Sequence, residues 1–310
     1  MKKFILSIMA AAMMPVLAMA QGCPPSSVTA TVTLQFTGPG MLDGEFTVSA
    51  VKKVNFSQGN LQYQASTNTW RFADHQWDYI GDAAGNNTAV ADRATQTAWI
   101  DLFGWGTSGS PASNIYGYMP YYTGADSKHY GPGIVTNNLD WTKENSDWGT
   151  VNAVQLGLGW HTLSNTEWNY LLTSRPNATN LRAYATVHGV PGLLLLPDTW
   201  NAAESRISTP LTINSWTNFT TNTISDADWT ILEFEGAVFL PAAGRRNGVT
   251  MSNVTTHGYY WTCTASDYRY SDTQIPAYIL YFRAGNTPIS SYYSGEGFWR
   301  HYGHSVRLVK

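Results

Sequence analysis

Alternating apolar and polar residues predict that the chain consists mainly of short β-strands. The clearest run is VTATVTL at 28–34, where β-branched residues recur with a period of two. No unit of about 20 to 50 residues repeats, which argues against a solenoid or a propeller. Further short runs rich in β-branched and aromatic residues predict strands at 46–48, 54–56, 61–63, 192–196, 237–241, 259–261, 278–283 and 305–309.

A capped amphipathic helix is predicted after Ser164. Ser164 and Glu167 have the spacing of a capping box, in which hydroxyl and carboxylate satisfy backbone N–H groups of the first turn. A second short helix is expected around Trp99, and loops rich in glycine, serine, asparagine and proline otherwise fill 70–159. The apolar stripe of the capped helix recurs at three- and four-residue spacing and comprises Trp168, Leu171 and Leu172.

Residues 1–20 have the composition of a secretory signal peptide. Two lysines precede an apolar run, 4–17, which ends in the cleavable small-x-small pattern Ala18-Met19-Ala20. Because this run is too short for a membrane span, we expect export to the cell surface or the medium, with the periplasm as a further possibility. A lipid anchor at Cys23 is the alternative, although Ala20 is smaller than the residue usual three positions before such a cysteine.

The composition indicates a protein that binds a ligand, but not one that binds nucleic acid or a membrane surface. Charged residues make up 13% of the chain, compared with about 25% in typical proteins. With a net charge of −3, the chain has no excess of positive charge that would attract nucleic acid or anionic lipid. The 13 Trp, 18 Tyr and 11 Phe have more aromatic surface than the core can bury, so we expect some of these rings to be exposed. Exposed tyrosine and tryptophan rings are typical of binding surfaces.

Sequence motifs for catalysis are missing or incomplete. The stretch 106–110 lacks the last glycine of a nucleophile elbow, no H-E-x-x-H occurs, and 244–248 has two arginines without the Lys-Ser/Thr of a phosphate loop. His301 and His304 are three residues apart, which on a strand places them on opposite faces and disfavours a metal pair. We therefore expect no enzyme activity, no cofactor and no metal. The acidic pairs that offer oxygens to Ca²⁺ more often mark solvated edges: 226–228 and 233–235.

Several stretches resemble the formylglycine-generating-enzyme type of C-type lectin fold, the sulfatase-modifying-factor-like superfamily. WHTLSNTEWNY at 160–170 resembles its W-R-L-P-T-E-A-E-W-E-Y segment, and GHSVRLV at 303–309 resembles its closing G-F-R-L-V strand. VFLPAAG at 238–244 and GYYW at 258–261 are similar to exported paralogues from Bacteroidetes and Fibrobacter, which have the fold without the enzyme's chemistry. The resemblance spans roughly residues 54–310.

The resemblance implies an α+β, C-type-lectin-like fold with a small twisted antiparallel sheet, few short helices and long ordered loops. The predicted organisation is a signal peptide at 1–20, an N-terminal β-strand segment at 21–50 and the lectin-like domain at 51–310. The family's enzyme binds copper through a cysteine pair, and the C-terminal half of this chain has only Cys263. Cys23 and Cys263 either form a disulfide or, more simply, are a near-terminal cysteine and a buried inert thiol.

The predicted binding surface lies in the C-terminal region. Along 278–283, alternation assigns Tyr278, Leu280 and Phe282 to the core and the intervening Ile, Tyr and Arg to an exposed face. Nearby loops combine Tyr, Ser, Asp, His, Trp and Arg, as antibody loops do, and resemble the variable region of retroelement-diversified proteins. The predicted ligand-binding residues are Asp267, Tyr268, Tyr270, Ile279, Tyr281, Arg283, Tyr292, Tyr293, Trp299, His301, Tyr302 and His304.

These observations predict an exported, non-catalytic ligand-binding protein, such as a receptor or adhesin. Its partner is expected to be a protein or a surface glycan, bound without an essential metal. One alternative is a structural subunit of a pilus or cell-envelope assembly, in which strand 28–34 is exchanged with a neighbour. The other is a residual enzyme of the superfamily, which would need a general base of shifted pKa in a pocket.

Overall fold

A computed structural model describes residues 40–81, 86, 97–109, 130–131, 137–140, 145–248, 250–266, 271, 274–291 and 299–310. All of them belong to one structural unit, Gln35–Lys310. The predicted signal peptide, Cys23 and the strand at 28–34 lie outside the described residues.

Short strands dominate the described part of the chain, and its helices are few and short, so the fold is α+β as predicted. The strands are β1 Met41–Thr47, β2 Lys53–Ser57, β3 Leu61–Gln64, β4 Thr69–Phe72, β5 Trp99–Ile100, β6 His161–Thr162, β7 Arg182–Val187, β8 Val190–Leu195, β9 Thr223–Ile224, β10 Val238–Pro241, β11 Arg245–Asn247, β12 Thr250–Ser252, β13 His257–Ala265, β14 Ala277–Arg283, β15 Ile289–Ser291 and β16 Leu308–Val309. The α-helices are α1 Trp148–Val151, α2 Ala153–Leu156, α3 Asn165–Asn169 and α4 Asp226–Phe234.

Strands from both ends of the domain meet in one sheet, ordered β1-β2-β16-β6. Val309 pairs with Phe56 on one side and with His161 on the other, antiparallel in both cases. β1 pairs antiparallel with β2. The described end of the predicted N-terminal segment 21–50 is therefore a strand of the same sheet as the domain.

Two further sheets divide the interior into layers. One is ordered β10-β8-β7-β9, and its β7–β8 hairpin turns through His188 and Gly189, both at positive φ, as the tight primed turns of hairpins require. The other is the antiparallel sheet β13-β14-β15. Apolar side chains fill the space between the two sheets and cover the outer face of each, which gives three apolar clusters.

The helix predicted after Ser164 is confirmed. Ser164 caps α3, and the reciprocal bond from its backbone N–H to the Glu167 carboxylate completes the capping box. The chain then widens into a π-type turn, Tyr170–Ser174. The Asn169 amide donates to the Ser290 carbonyl at 3.2 Å, so the helix braces the β13-β14-β15 sheet. The predicted apolar stripe is buried throughout: Trp168, Leu171 and Leu172.

Two local predictions are wrong. Residues around Trp99 form β5 rather than a helix, because Ile100 pairs with Tyr63 of β3 and extends that sheet. The acidic pairs at 226–228 and 233–235 lie in and just after α4, which Ser225 caps, and the first pair is not fully solvated as expected. Inside that helix Asp228 is buried and accepts hydrogen bonds from Ser208, so it is not a solvated carboxylate.

Candidate functional site

The candidate site is built on one face of the β13–β14 pair. The strand register places His257 opposite Arg283 and Tyr259 opposite Tyr281, and the rings of this second pair lie 5.2 Å apart. Side chains directly opposite each other in an antiparallel pair stabilise the sheet and share an environment. His257, Tyr281 and Arg283 are half-buried, whereas Tyr259 is fully buried beneath them.

The expectation that Ile279 belongs to an exposed face is wrong. Ile279 lies opposite Trp261 and is only 5% exposed. Alternation assigned the side chain to the correct side of β14. At Ile279, however, that side is covered by the first of the three apolar clusters, which contains Tyr259 and Trp261. Burial on both faces makes a strand uniformly apolar, and only toward Arg283 does this face of β14 become accessible to solvent.

The predicted surface positions of His301 and His304 are also wrong. Residues 303–305 run beside β13, where Ser305 N–H donates to the Tyr259 carbonyl and Trp261 N–H donates to the Ser305 carbonyl, both at 3.0 Å. This pairing directs His304 inward, where its ring lies 4.3 Å from Trp261 and is fully buried. His301 is 5% exposed, so both histidines belong to the interior.

A short hairpin, β11–β12, adds an arginine to this face. Arg246 and Gly303 exchange backbone hydrogen bonds of 2.9 and 2.8 Å, which dock the hairpin against the C-terminal segment. The preceding residue, Arg245, thereby lies over two tyrosine rings. Its guanidinium carbon is 5.1 Å from the centroid of Tyr302 and 5.6 Å from that of Tyr259, within the range of cation–π attraction.

Arg245 has no anionic partner in the described part of the chain. Its Nε donates to the Ser252 hydroxyl at 3.3 Å, its Nη1 is buried without an acceptor, and no carboxylate of the described residues forms an ion pair with it. An unpaired charge away from water is costly. A guanidinium stacked on rings keeps its N–H donors in one plane, where they match the oxygens of a carboxylate, sulfate or phosphate. The position of Arg245 therefore suits an anionic group.

The other predicted residues fall into two locations. Tyr281, Arg283 and Tyr302 lie with the arginine just described, and Arg283 donates from Nε to the Asn286 side chain at 2.9 Å. Trp299 is half-buried and pairs with Pro276, at the opposite end of β14 from Arg283. The five remaining predicted residues lie outside the described part of the chain: Asp267, Tyr268, Tyr270, Tyr292 and Tyr293.

We call the assembled site the Arg245 surface, and define it as Arg245, His257, Tyr281, Arg283 and Tyr302. Sequence analysis missed Arg245 and His257. The alternation that grouped residues of β14 applies equally to β13 and places His257 on the same face as Tyr259, so that signal was present. For Arg245 no local signal existed, because its position depends on how the hairpin docks.

The ionisable groups buried near this region have structural partners. Asp147 caps α1 and accepts hydrogen bonds from Gly149 N–H at 2.9 Å and Thr162 N–H at 3.0 Å, while burial raises its pKa. Cys263 is a free, buried thiol, and its burial raises the pKa well above the usual range. A thiol must lose its proton to bind a soft metal or to act as a nucleophile, which this environment opposes.

Other classes of site find little support among the described residues. Within them, no group of three or more His, Cys, Asp or Glu residues is placed to hold a metal ion. None of the helices they form has the length and apolar character needed to cross a membrane. Comparison of the chain with known protein families, with curated proteins and with solved structures gave no match.

Proposed function

We propose that the protein is an exported, non-catalytic binding protein that engages an anionic partner through the Arg245 surface. The observation that carries the proposal is the guanidinium of Arg245, which lies over the rings of Tyr259 and Tyr302 and has no counter-ion among the described residues. A bound carboxylate or sulfate would supply the counter-charge. The neighbouring imidazole and tyrosine side chains add donors and flat apolar area.

The C-type-lectin-like fold of the formylglycine-generating-enzyme type is part of this proposal. The closing strand that the resemblance predicts corresponds to β16, which joins the sheet beside β2. The capped helix that the resemblance predicts corresponds to α3, which braces the sheet beneath the binding face. Both features support a scaffold whose loops and sheet edge present the recognition residues.

Binding is favoured over catalysis because the reactive groups are buried and already occupied. Cys263 is held in the protonated form by its burial, and Asp147 is occupied as a helix cap. The Arg245 surface instead combines planar tyrosine and imidazole rings with two guanidinium groups, which carry its positive charge. Such groups recognise a ligand through geometry and charge.

The proposed partner is an acidic surface glycan or an acidic protein segment, bound without an essential metal. Tyrosine rings stack on sugar faces and on peptide side chains, and the guanidinium pairs with the acid group that either ligand carries. Recognition of this kind weakens as salt screens the charge. The dependence on salt therefore separates it from purely apolar binding.

Polygalacturonate and an Asp/Glu-rich peptide are suitable probes, with neutral dextran as the reference. We expect the acidic probes to bind in calorimetric titrations, more weakly at high salt and equally with EDTA. Arg245→Ala should weaken binding about tenfold or more, whereas Arg206→Ala, which removes the same charge from an exposed position, should not. Equal affinity of both variants, or loss of binding in EDTA, would contradict the proposal.

Diversification of the C-terminal region by a retroelement extends the same proposal. Variable residues would then concentrate between 267 and 304, around the fixed interior formed by residues such as Trp261 and Arg307, both buried. Sequencing the same locus in sister strains tests this. Substitutions spread evenly along the chain would argue for a single, invariant ligand.

A further inference from the structure

The long loop between β8 and β9, residues 196–222, forms a groove around Trp200 that is separate from the Arg245 surface. Two pockets share Trp200 in their lining, one of about 390 Å³ and one of about 240 Å³. Trp200 and Asn201 line both pockets. Loops of this length inside a domain are commonly functional. We call this feature the Trp200 groove.

The groove is held in place by hydrogen bonds within the loop and to the helix beside it. Glu204 N–H and Ser205 N–H both donate to the Asn201 carbonyl at 3.0 Å. Farther along the loop, the buried Asp228 carboxylate of α4 accepts from Ser208 N–H at 2.6 Å and from the Ser208 hydroxyl at 2.9 Å. A loop fixed in this way presents its side chains with little entropy left to lose on binding.

Polar groups without partners line the larger pocket. Asn177 and Asn180 are exposed, and their side-chain amides make no hydrogen bond to the described residues. The indole Nε1 of Trp200 is buried and has no acceptor among the described residues, so the ring offers its apolar surface rather than its donor. The two exposed amides are the polar groups that a ligand can reach.

The smaller pocket contributes carboxylates that are oriented but not neutralised. Glu204 accepts from the Asn201 amide at 3.0 Å, and Glu235 accepts from the Ser205 hydroxyl at 2.7 Å. Among the described residues, neither glutamate pairs with a lysine or arginine, and no cationic side chain lines either pocket. In this part of the chain the groove therefore combines an indole, free amides and acidic acceptors without a positive charge.

We propose that the Trp200 groove binds a neutral saccharide. The hydroxyl groups of a sugar are both donors and acceptors, and planar amides and carboxylates satisfy them in pairs. The C–H face of a pyranose offers apolar area to the indole, as an amphipathic aromatic side chain prefers. An acidic sugar would be repelled by the two glutamates, so this site selects against the partner proposed for the Arg245 surface.

The test uses a panel of neutral trisaccharides: cellotriose, xylotriose, maltotriose, mannotriose and N-acetylchitotriose. Binding is followed by calorimetry and by intrinsic tryptophan fluorescence. We expect at least one of them to bind, and Trp200→Ala to weaken its affinity about tenfold or more. Trp200→Phe keeps a ring but loses part of the indole area and should give an intermediate loss.

Matched variants keep the test independent of folding and of the Arg245 surface. Trp99 is also half-buried but lines neither pocket, so Trp99→Ala should bind the saccharide normally, as should Arg245→Ala. Asn180→Ala removes an exposed amide that supports nothing else and should weaken binding several-fold at an unchanged melting temperature.

Three results would overturn the inference. The first is that no trisaccharide binds the wild-type protein at millimolar concentration. The second is that Trp200→Ala and Asn180→Ala bind as the wild type does. The third is that EDTA abolishes binding, which would assign Glu204 and Glu235 to a cation instead.

Discussion

Two arginines show how the same side chain is used inside the fold and at its surface. Arg175 is 2% exposed and donates to the Asp198 carboxylate at 3.0 Å and to the carbonyls of Leu181 and Leu196 at 3.2 and 3.0 Å. Arg245 stacks on tyrosine rings and, among the described residues, has a single side-chain hydrogen bond, to Ser252. Both guanidiniums lie against aromatic rings, but in the described part of the chain only Arg175 has an anion.

The difference separates a structural role from a recognition role. Arg175 ties the chain after α3 to the ends of β7 and β8, and its hydrogen bonds offset the burial that lowers its pKa. Arg245 has no such role, because removing it would leave no buried carboxylate unpaired. We therefore expect changes at Arg175 and its partner to affect stability, and changes at Arg245 to affect binding.

The largest effect is expected for Asp198→Ala. This change leaves the buried Arg175 guanidinium without its anion, and breaking a buried pair in this way costs about 3–5 kcal/mol of the free energy of unfolding. Urea denaturation measures the loss directly. A loss below about 1 kcal/mol would show that the two carbonyl acceptors suffice and that the anion contributes little.

Asp101 differs from Asp198 in being a buried carboxylate whose partners among the described residues are all neutral. Its carboxylate accepts from Ile80 N–H at 2.8 Å and from the Asn86 amide at 2.7 Å, and burial raises its pKa from 3.8 to about 6. The folded protein therefore takes up this proton before the unfolded chain does as pH falls. At neutral pH, keeping Asp101 charged in the folded state lowers the free energy of unfolding by on the order of 3 kcal/mol. This loss is relieved as the pH falls from about 6 to about 4.

Asp101→Asn provides the measurement, because it cannot take up that proton. We expect the wild type to gain stability relative to the variant as pH falls through this range, by up to about 3 kcal/mol in urea denaturation. Subtracting the two profiles removes the contribution of other carboxylates. A flat difference would show that the Asp101 pKa is the same in the folded and unfolded states.

Arg245→Ala should change the free energy of unfolding by less than about 1 kcal/mol. It should lower the affinity for the acidic probes about tenfold. Arg245→Lys is the sharper variant, since it keeps the charge but loses the planar, stacked fork of donors. We expect it to recover only part of the lost affinity. Full recovery would reduce the role of Arg245 to that of a point charge, and a large drop in melting temperature would make it structural.

The smallest effect is expected for Tyr302→Ala. It removes one of the two rings that hold the Arg245 guanidinium, at a position that is only half-buried. Affinity for the acidic probes should fall by about threefold to tenfold, the range of a single cation–π contact. Tyr302→Phe keeps the ring and should bind as the wild type does; a loss in that variant would assign the role to the hydroxyl instead.

Local chemistry made part of the fold predictable. Ser164 and Glu167 cap their helix through contacts three residues apart, so no knowledge of the tertiary structure was needed. The faces of β14 were assigned correctly for Leu280 and Phe282, both buried, while Tyr278 on the same side is half-buried. A capping-box spacing or an alternation of residues describes the geometry of a single helix or strand.

The rest depends on contacts between distant segments. Ile279 is buried because the first apolar cluster covers its face, and His304 points inward because residues 303–305 pair with β13. Arg245 reaches its tyrosines only through the docking of the β11–β12 hairpin. Trp99 lies in a strand because its segment pairs with the free edge of β3. Neither periodicity nor motif contains these pairings, and they decide which candidate residues reach the surface.

The position of β16 between β2 and β6 has a consequence for how the chain acquires its structure. Val309 pairs with Phe56 and with His161, so this sheet cannot close until β16 has left the ribosome. Pairings between strands so far apart in sequence are also slow to form, in the range of milliseconds to seconds. In nascent chains this sheet should therefore stay open and sensitive to proteases until β16 emerges, and acquire resistance in one step once Leu308 and Val309 are available.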